Sequence, residues 1–307
     1  MLKQEVTIED GTGSKGQPAG VLLLNNIVKH WRALLLGVAV LLLYFPVLRV
    51  LARQCWDDPN YSHGFLVPLF CAYVLWERRR ELSQVTPKPT SAGLVVLLGS
   101  IVVLFLGSLG AELFLARVSL LGVIIGLLLF LHGWAMVKKM VFPLSALLLM
   151  IPIPGVIYYQ LVFPLQLLAS ELAAAALQAS HLVPVFREGN VLVLPGVRLE
   201  VAEACSGIRS LMSLLTIAVI YGYLSETKTW ARWLLCLLIV PIAVLSNSAR
   251  VFFAAIGSQY IGMSAVEGVS HFLAGIFLFL VAIMMLMACH GLLRAVVRWR
   301  SGEERAK

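Results

Sequence analysis

Runs of about 20 consecutive apolar residues recur along almost the whole length of this chain. At about 1.5 Å per residue, a helix of that length crosses the roughly 30 Å hydrocarbon core of a bilayer. The 307 residues are 60% hydrophobic and only 13% charged, whereas a soluble domain has about 45–50% apolar residues. We therefore predict an all-α fold, a polytopic transmembrane helical bundle.

The apolar runs predict about eight membrane spans. A helix break is expected at Pro152-Ile153-Pro154-Gly155, near the end of the fifth run, because proline removes a backbone donor and clashes with the preceding turn. The predicted spans cover residues 31–50, 61–76, 92–111, 117–134, 141–157, 208–224, 231–249 and 272–292.

The one long stretch outside the predicted spans, residues 160–206, contains two different patterns. Residues 160–182 are rich in Ala and Leu and carry Glu171, which is typical of an amphipathic helix at the membrane interface. Residues 191–201 alternate β-branched residues with others around Pro195-Gly196, which predicts a small β-hairpin.

The distribution of charge predicts the orientation of the bundle. With the N-terminus inside, 17 of the 24 lysines and arginines, including every lysine, fall on segments that face the cytoplasm. The positive-inside rule therefore places both termini in the cytoplasm and residues 160–206 on the extracytoplasmic side. The chain divides into a polar cytoplasmic segment (1–30), a transmembrane domain (31–292) and a basic cytoplasmic tail (293–307). No removable signal peptide is expected, because no small-residue cleavage site follows the first apolar run.

The net charge of +8 does not indicate nucleic-acid binding, because the basic residues form short clusters between apolar runs rather than one soluble face. The five cysteines show neither CxxC nor CxxH spacing, so no zinc site or disulfide framework is predicted. No metal and no cofactor are expected. Cys71, Cys236 and Cys289 lie inside apolar runs, where a thiol is usually a small buried hydrophobe.

Cys205 has the surroundings of a reactive thiol. It lies in Glu203-Ala204-Cys205-Ser206-Gly207, between the predicted hairpin and the sixth span. The positive end of the helix dipole, the free N–H groups of the first turn and Arg209 one turn on each favour the thiolate. The same N–H groups can receive a developing oxyanion. A tight strand-to-helix turn, into which Cys merely fits, is the alternative.

Two more polar residues lie at the ends of spans on the same predicted face. Arg250 ends Asn247-Ser248-Ala249-Arg250 in the seventh span, where a charge is costly unless it is paired, functional or able to reach the interface. His271 opens the eighth span, either as a structural capping residue or as a proton donor. Nucleophilic thiol chemistry requires a thiolate, a proton donor and a cation that faces the oxyanion. Cys205, Arg250 and His271 therefore form a candidate catalytic triad.

A second polar cluster on the predicted outer side comprises Asp57, Asp58, Asn60 and His63. Two carboxylates, an amide and an imidazole can bind a metal or orient a substrate head group, although their spacing matches no established ligand pattern. An ordered, hydrogen-bonded loop before the second span explains the same residues. Both interpretations stay open at this point.

Six segments of the chain, in order, resemble the exosortases of the exosortase/archaeosortase family over roughly residues 55–290. They are Asp58–Pro68, Ile151–Pro154, Arg187–Asn190, Glu203–Ser210, Asn247–Arg250 and Ser270–His271. The resemblance places the family's catalytic cysteine, arginine and histidine on Cys205, Arg250 and His271. Candidates for supporting or substrate-binding roles are Glu203, Ser206, Arg209, Asn247, Asp57, Asp58, Asn60 and His63.

The resemblance implies a multi-pass thiol protease or transpeptidase of the bacterial inner membrane. Exosortases recognise C-terminal PEP-CTERM sorting signals, in which a Pro-Glu-Pro-type motif precedes a transmembrane helix and a basic end. The implied partners are the sorting tails of membrane-tethered secreted proteins and an acceptor nucleophile in the envelope. Cleavage through a thioester is expected at the extracytoplasmic face.

The alternative activity is that of a transporter or a membrane transferase for lipid-linked or exopolysaccharide precursors. A transporter predicts ionisable residues along pathways in the middle of the spans, and the apolar runs contain almost none. A transferase that uses Asp57 and Asp58 predicts metal dependence and indifference to replacement of Cys205. A non-catalytic assembly protein would form no thioester with a tail peptide.

Overall fold

The structure, a computed structural model, describes residues 19–110, 112–201, 208–262 and 268–306. The chain divides into two compact units, Met1–Leu48 and Arg49–Lys307. The boundary falls within helix α1 (Ala19–Asp57). In the first unit, the structure describes only the part of this helix up to Leu48. The features below belong to the second unit.

The described residues of the second unit are mostly helical, as the apolar runs predict. The helices after α1 are α2 (Leu66–Glu77), α3 (Arg79–Ser83), α4 (Ala92–Leu109), α5 (Leu113–Leu131), α6 (Trp134–Ala146), α7 (Gly155–Ser180), α8 (Ile208–Ser225), α9 (Thr229–Tyr260) and α10 (Gly268–Ala306). Two 3₁₀ turns, Ser62–Phe65 and Leu147–Met150, precede α2 and follow α6. The strands are β1 (Phe186–Glu188), β2 (Val191–Leu194) and β3 (Val197–Glu200). The predicted fold class, a helical bundle with a small β-hairpin, is confirmed.

Six helices in the described part of the chain are long and apolar enough to cross a membrane, against about eight predicted spans. They are Leu34–Asp57, Ala92–Leu109, Leu113–Leu131, Gly155–Ser180, Thr229–Tyr260 and Phe272–Ala295. The predicted spans 61–76 and 141–157 are instead short helices, of 12 and 13 residues, each joined to a 3₁₀ turn. Such helices reach about 18–20 Å, less than the roughly 30 Å core. Apolar composition does not reveal where a helix tightens or ends, so the prediction overestimated these two elements.

Helix α7 begins earlier than the interfacial helix predicted for residues 160–182. The predicted break is confirmed, because α7 starts at Gly155 directly after the Ile151–Pro154 segment. The helix continues through Pro164 for 26 residues and is long and apolar enough to cross a membrane. Helix α8 (Ile208–Ser225) covers the predicted span 208–224, but its apolar segment Ser210–Ser225 is shorter than the six candidate spans.

Helices α4 and α5 form a hairpin whose backbones approach closely at glycines. A Cβ on Gly93 would lie 2.2 Å from the backbone nitrogen of Phe130, and a Cβ on Gly126 would lie 2.7 Å from the backbone nitrogen of Leu97. Lipid tails are as apolar as leucine, so helices in a membrane associate through close packing, which small residues permit. The two helices are therefore held together at backbone contact distance.

Helices α8, α9 and α10 share a core of buried apolar side chains. Its members are Leu214, Ala218, Leu235, Ile239, Ile242, Ala243, Ala282 and Leu286. The short Glu226–Lys228 connection makes α8 and α9 antiparallel neighbours. A Cβ on Gly222 would lie 3.7 Å from the Cα of Arg232. Residues equally far from the connection therefore face each other across the two helices.

The sheet contains the predicted hairpin and one more strand. β2 and β3 are joined by Pro195-Gly196, and the φ of +73° at Gly196 suits a turn that only glycine adopts easily. β1 pairs antiparallel with β2, with Arg187 opposite Leu192; this strand was not predicted. The sheet shares a buried cluster with α7 and α9, formed by Ala173, Ala174, Leu177, Leu192, Leu194, Val251 and Ala255.

Candidate functional site

Arg250 is the candidate catalytic residue whose side chain the structure describes. It lies in α9 and is half-buried. For His271 in α10 and Arg209 in α8, the structure describes the helical backbone alone. The candidate residues outside the described ranges are Glu203, Cys205 and Ser206.

Helix α9 carries one arginine near its start, Arg232, and a second, Arg250, ten residues before its end at Tyr260. Arg232 and Arg250 are 18 residues apart in this continuous helix, which at about 1.5 Å per residue corresponds to about 27 Å. That separation is close to the roughly 30 Å of a hydrocarbon core. The two charges can therefore reach opposite interfaces, while the apolar segment between them stays in the membrane.

The guanidinium of Arg250 packs against α10 at Gly275. A Cβ built on Gly275 would lie 3.6 Å from both Cζ and Nη2 of Arg250. Ser246, one turn before Arg250, donates a hydrogen bond from Oγ to the carbonyl of Leu278 at 3.0 Å. The two contacts show that α9 and α10 are antiparallel. Because His271 is one turn before Gly275 on the same face of α10, its backbone lies at the same end of the helix pair as Arg250.

The start of α8 reaches the same end of the bundle. Since residues equally far from the Glu226–Lys228 connection face each other, Ile208 is level with Ser246 of α9. Cys205 precedes Ile208 by three residues in the sequence. The chain order thus leads from the sheet, through the segment that contains Cys205, to the end of the bundle where Arg250 lies.

Two polar side chains are buried in the turn of α9 before Arg250. Asn247, a predicted supporting residue, is 5% exposed and takes part in polar interactions there. Ser248 is also buried, and its hydroxyl donates to the carbonyl of Val244 at 2.8 Å. Buried polar groups require such partners. Asn247 is therefore a buried, partnered polar residue three positions before the arginine.

The predicted outer cluster forms an ordered loop between α1 and α2. The carboxylate of Asp58 accepts a hydrogen bond from the backbone N–H of Asn60 at 2.9 Å. His63 is bonded through Nε2 to the carbonyl of Leu149 at 3.3 Å. Asp57 is exposed. Asp58 and His63 thus serve to hold the loop and its neighbouring 3₁₀ turn, which favours the second of the two interpretations above.

The geometry of this loop does not converge on a metal. Within the described residues, no group of three or more His, Cys, Asp and Glu side chains is placed to hold a metal ion. The 3₁₀ turn Ser62–Phe65 contacts α8. The loop therefore lies beside the helix whose first turn follows Cys205.

Sequence reasoning missed two residues near these elements. Gly275 was not singled out, although its position four residues after His271 places both on one helix face. Arg117 was counted only as an outer charge, but it is 3% exposed in α5 and donates from Nη2 to Oε1 of Gln54 at 2.7 Å. Gln54 lies 63 residues before Arg117 in a different helix, so no local sequence pattern could have predicted this hydrogen bond.

The opposite end of α8 and α10 holds a buried polar cluster. Nε2 of His290 is 2.7 Å from Oε1 of Glu226, and the same oxygen accepts a bond from Nε of Arg294 at 2.7 Å. The hydroxyl of Tyr221 is 2.7 Å from Nδ1 of His290. The bonds from His290 and then Arg294 lower the pKa of the Glu226 carboxyl below its ordinary value. This cluster joins the connection after α8 to the far end of α10.

Comparison with known proteins agrees with the segments quoted above. The sequence model of a family described as transmembrane exosortase (Exosortase_EpsH) matches residues 55–288. No curated protein and no solved structure gives a significant match. Because the family match covers well over half of the 307 residues, the chain belongs to the transmembrane exosortase family.

Proposed function

We propose that this exosortase is a membrane cysteine peptidase or transpeptidase that cleaves PEP-CTERM-type C-terminal sorting signals at the extracytoplasmic face. Its location is the bacterial inner membrane, with both termini in the cytoplasm. Its substrates are membrane-tethered secreted proteins, and the cleaved chain passes to an acceptor nucleophile in the envelope or to water. The transmembrane domain 31–292 carries the whole activity.

The observation that carries the proposal is the contact of Arg250 with Gly275. It places a guanidinium on α10 one turn from His271, at the end of the bundle where α8 starts. An arginine in a mostly apolar helix is expensive unless it has a function or reaches the interface. Acyl transfer is accelerated by a hydrogen-bond donor at the developing oxyanion and by a proton donor for the leaving amine, and a guanidinium can supply the first of these.

The mechanism assigns one role to each of the three residues. The Cys205 thiolate attacks the scissile carbonyl carbon of the sorting motif, and Arg250 donates hydrogen bonds to the oxyanion that develops. When the tetrahedral intermediate collapses, the C–N bond breaks and the His271 imidazolium gives a proton to the leaving amine. The product is a thioester on Cys205. An amine or hydroxyl acceptor, or water, then attacks the thioester carbonyl and gives its proton to the neutral His271 imidazole. The C–S bond breaks, which restores the Cys205 thiolate and the His271 imidazolium.

The proposal also assigns supporting roles to the other candidate residues. The N–H groups of the first turn of α8, with Arg209, favour the thiolate of Cys205. Glu203, Ser206 and Asn247 orient the triad or the substrate. In the loop beside α8, Asp58 and His63 support the backbone through their hydrogen bonds, and Asp57 and Asn60 are assigned to substrate contact.

The test is processing of a co-expressed reporter that ends in a PEP-CTERM tail. Cys205→Ala should abolish cleavage, and Cys205→Ser should reduce it severely, because a serine hydroxyl is a far weaker nucleophile without a dedicated base. Cys289→Ala is the matched control, since this thiol lies in α10 near the opposite end of the bundle. Mass spectrometry of the purified enzyme with a tail peptide should find the acyl group on Cys205. Undiminished cleavage by Cys205→Ala would exclude the proposed nucleophile.

The same experiment separates this activity from the transferase alternative. A transferase that uses the Asp57 loop would lose activity with a chelator and would tolerate Cys205→Ala. The proposed peptidase should show the opposite pattern.

A further inference from the structure

Three elements converge on Tyr223 at the end of α8. Nε of Arg78, after α2, donates to the Tyr223 hydroxyl at 2.9 Å, and Nη2 of Arg232, in α9, donates to the Tyr223 carbonyl at 3.3 Å. Both guanidinium carbons lie over the tyrosine ring, 5.4 and 5.0 Å from its centroid. Phe142 of α6 stacks on the same ring at 4.5 Å. The side chains of Arg78, which follows α2, and Arg232, in α9, are thus held on the same tyrosine.

A cavity of about 410 Å³ opens beside this pair of arginines. It is lined by Glu77, Arg78, Arg80, Glu81, Tyr223 and Arg232. One of the two acidic groups is neutralised from outside the cavity, because Glu81 forms an ion pair with Lys139 at 3.2 Å. Three guanidinium groups therefore face one remaining carboxylate, and the cavity carries an excess of positive charge.

The arginines keep donors available for a ligand. The bond from Arg78 to Tyr223 uses Nε, and in the described part of the chain its two terminal nitrogens have no hydrogen-bond partner. The guanidinium of Arg80 is exposed and likewise has none among the described residues. Planar guanidinium groups prefer to bind carboxylates and phosphates through two parallel hydrogen bonds.

The position of the cavity is that of lipid head groups. Trp76, Trp230 and Trp233 are one or two residues from Glu77 or Arg232 of its lining in the sequence, and they are 62%, 49% and 68% exposed. Exposed tryptophans are enriched at the level of the head groups. Arg232 also lies about 27 Å along α9 from Arg250, so the two ends of that helix segment match the two interfaces.

We propose that this cavity binds the phosphate group of an anionic phospholipid, held by Arg78, Arg80 and Arg232. Basic pockets between membrane helices bind anionic head groups in this way, and the volume lies within the range of about 300–1,000 Å³ that is usual for ligand sites. The bound lipid would bridge the ends of α2, α8 and α9. The site is independent of the triad, because it lies at the other end of α9.

The test is native mass spectrometry of the purified full chain in detergent, titrated with phosphatidylglycerol or phosphatidylcholine. Phosphatidylglycerol should be retained in preference to phosphatidylcholine. Arg80→Gln and Arg78→Gln should each weaken its binding about three- to tenfold, as expected for one charged hydrogen-bonding group at a partly exposed site. Arg80→Gln is the safer variant, because its guanidinium holds no other element in place.

The matched control is Arg79→Gln. This neighbour donates to the carbonyl of Trp76 and stacks on its ring, outside the cavity. Arg79→Gln removes the same charge as Arg80→Gln but leaves the cavity lining intact. Lipid binding should therefore stay within about twofold of the unchanged chain. Equal weakening by Arg79→Gln would overturn the site in favour of a general surface potential, and equal retention of both lipids would overturn it outright.

Competition with inorganic phosphate distinguishes a phospholipid from a soluble phosphate compound as the source of the bound phosphate group. A lipid also buries its acyl chains, so millimolar phosphate should not displace phosphatidylglycerol. Complete displacement by phosphate would assign the cavity to a soluble phosphate compound and overturn the lipid proposal.

Discussion

The guanidinium of Arg250 lies over Gly275 of α10, where a side chain larger than alanine would displace it. A Cβ at this position would be 3.6 Å from Cζ of Arg250, an ordinary contact distance. Gly275→Ala should therefore leave processing of a sorting tail within about threefold of the unchanged enzyme. Gly275→Leu should displace the guanidinium and lower turnover about a hundredfold, the order of effect of losing one oxyanion donor. Full activity of Gly275→Leu in a folded enzyme would show that the position of Arg250 does not matter.

Replacing Arg250 by lysine tests whether its planar shape matters or only its charge. Arg250→Lys keeps the cation but loses the fork of parallel donors. We expect a fall of about 10²-fold or more in kcat with a small change in KM, measured on a tail peptide. Arg53→Lys, at an exposed arginine near the end of α1, is the control and should be silent. A change confined to KM would indicate that Arg250 binds substrate and does not contact the oxyanion.

The hairpin of α4 and α5 should be sensitive to a single methyl group. In Gly93→Ala the new Cβ would lie 2.2 Å from the backbone nitrogen of Phe130, so the two helices must move apart, at a cost of about 1–3 kcal/mol or more. Gly99→Ala is the control on the same helix, because nothing lies within 4 Å of its Cβ. Thermal unfolding in detergent should show a lower midpoint for the first variant and an unchanged or higher one for the second. Equal midpoints would mean that the helices are not in backbone contact.

Local signals in the sequence predicted much of this fold. Contacts between residues that are far apart in the sequence were not predicted. The prolines at 152 and 154 marked the break before α7, although its start at Gly155 was predicted five residues too late, and Pro195-Gly196 marked the turn of the hairpin. β1 was missed although Gly189-Asn190 is a recognisable turn between it and β2. The contact of Gly93 with Phe130 depends on how two helices pack, and no periodicity within either helix specifies it.

Some features of the candidate site were likewise predictable from the sequence, and others depend on how the helices pack. Charge counting predicted one face for Arg250 and His271, and α9 and α10 bring the guanidinium and the His271 backbone to one end of the pair. Gly275, over which the guanidinium lies, could be recognised only from the spacing of four to His271, and only after the helix register was known. Asp58 and His63 have the residue types of a metal site, yet their bonds to Asn60 and Leu149 give them loop-holding roles.

The cluster around His290 should contribute to stability. His290 is 2% exposed, and Tyr221→Phe removes the hydroxyl bonded to its Nδ1. A buried ring nitrogen left without a partner costs about 1–3 kcal/mol. Tyr73→Phe is the control, since Tyr73 is 44% exposed on α2. Chemical or thermal unfolding of both variants in detergent measures the difference, and equal stabilities would contradict the assigned role of the hydroxyl.

Glu226 should make stability depend on pH in the acid range. Its folded-state pKa is held below the ordinary value of 4.5 by bonds from His290 and Arg294, so the folded state favours the ionised carboxylate. The resulting stabilisation is fully present above about pH 4.5 and is lost as the pH falls through the lower, folded-state pKa. The difference in unfolding midpoint between the unchanged chain and Glu226→Gln should therefore shrink below pH 4.5. A difference that stays constant from pH 6 to pH 3 would contradict this.

The three-stranded sheet rests on its own small core. Leu192 and Leu194 are buried against α7 and α9, whereas Arg198 and Glu200 on β3 are exposed. None of these residues belongs to the cluster that packs α8, α9 and α10. Substitutions on the exposed face of β3, such as at Arg198 or Glu200, should therefore leave the packing of the helix that carries Arg250 unchanged.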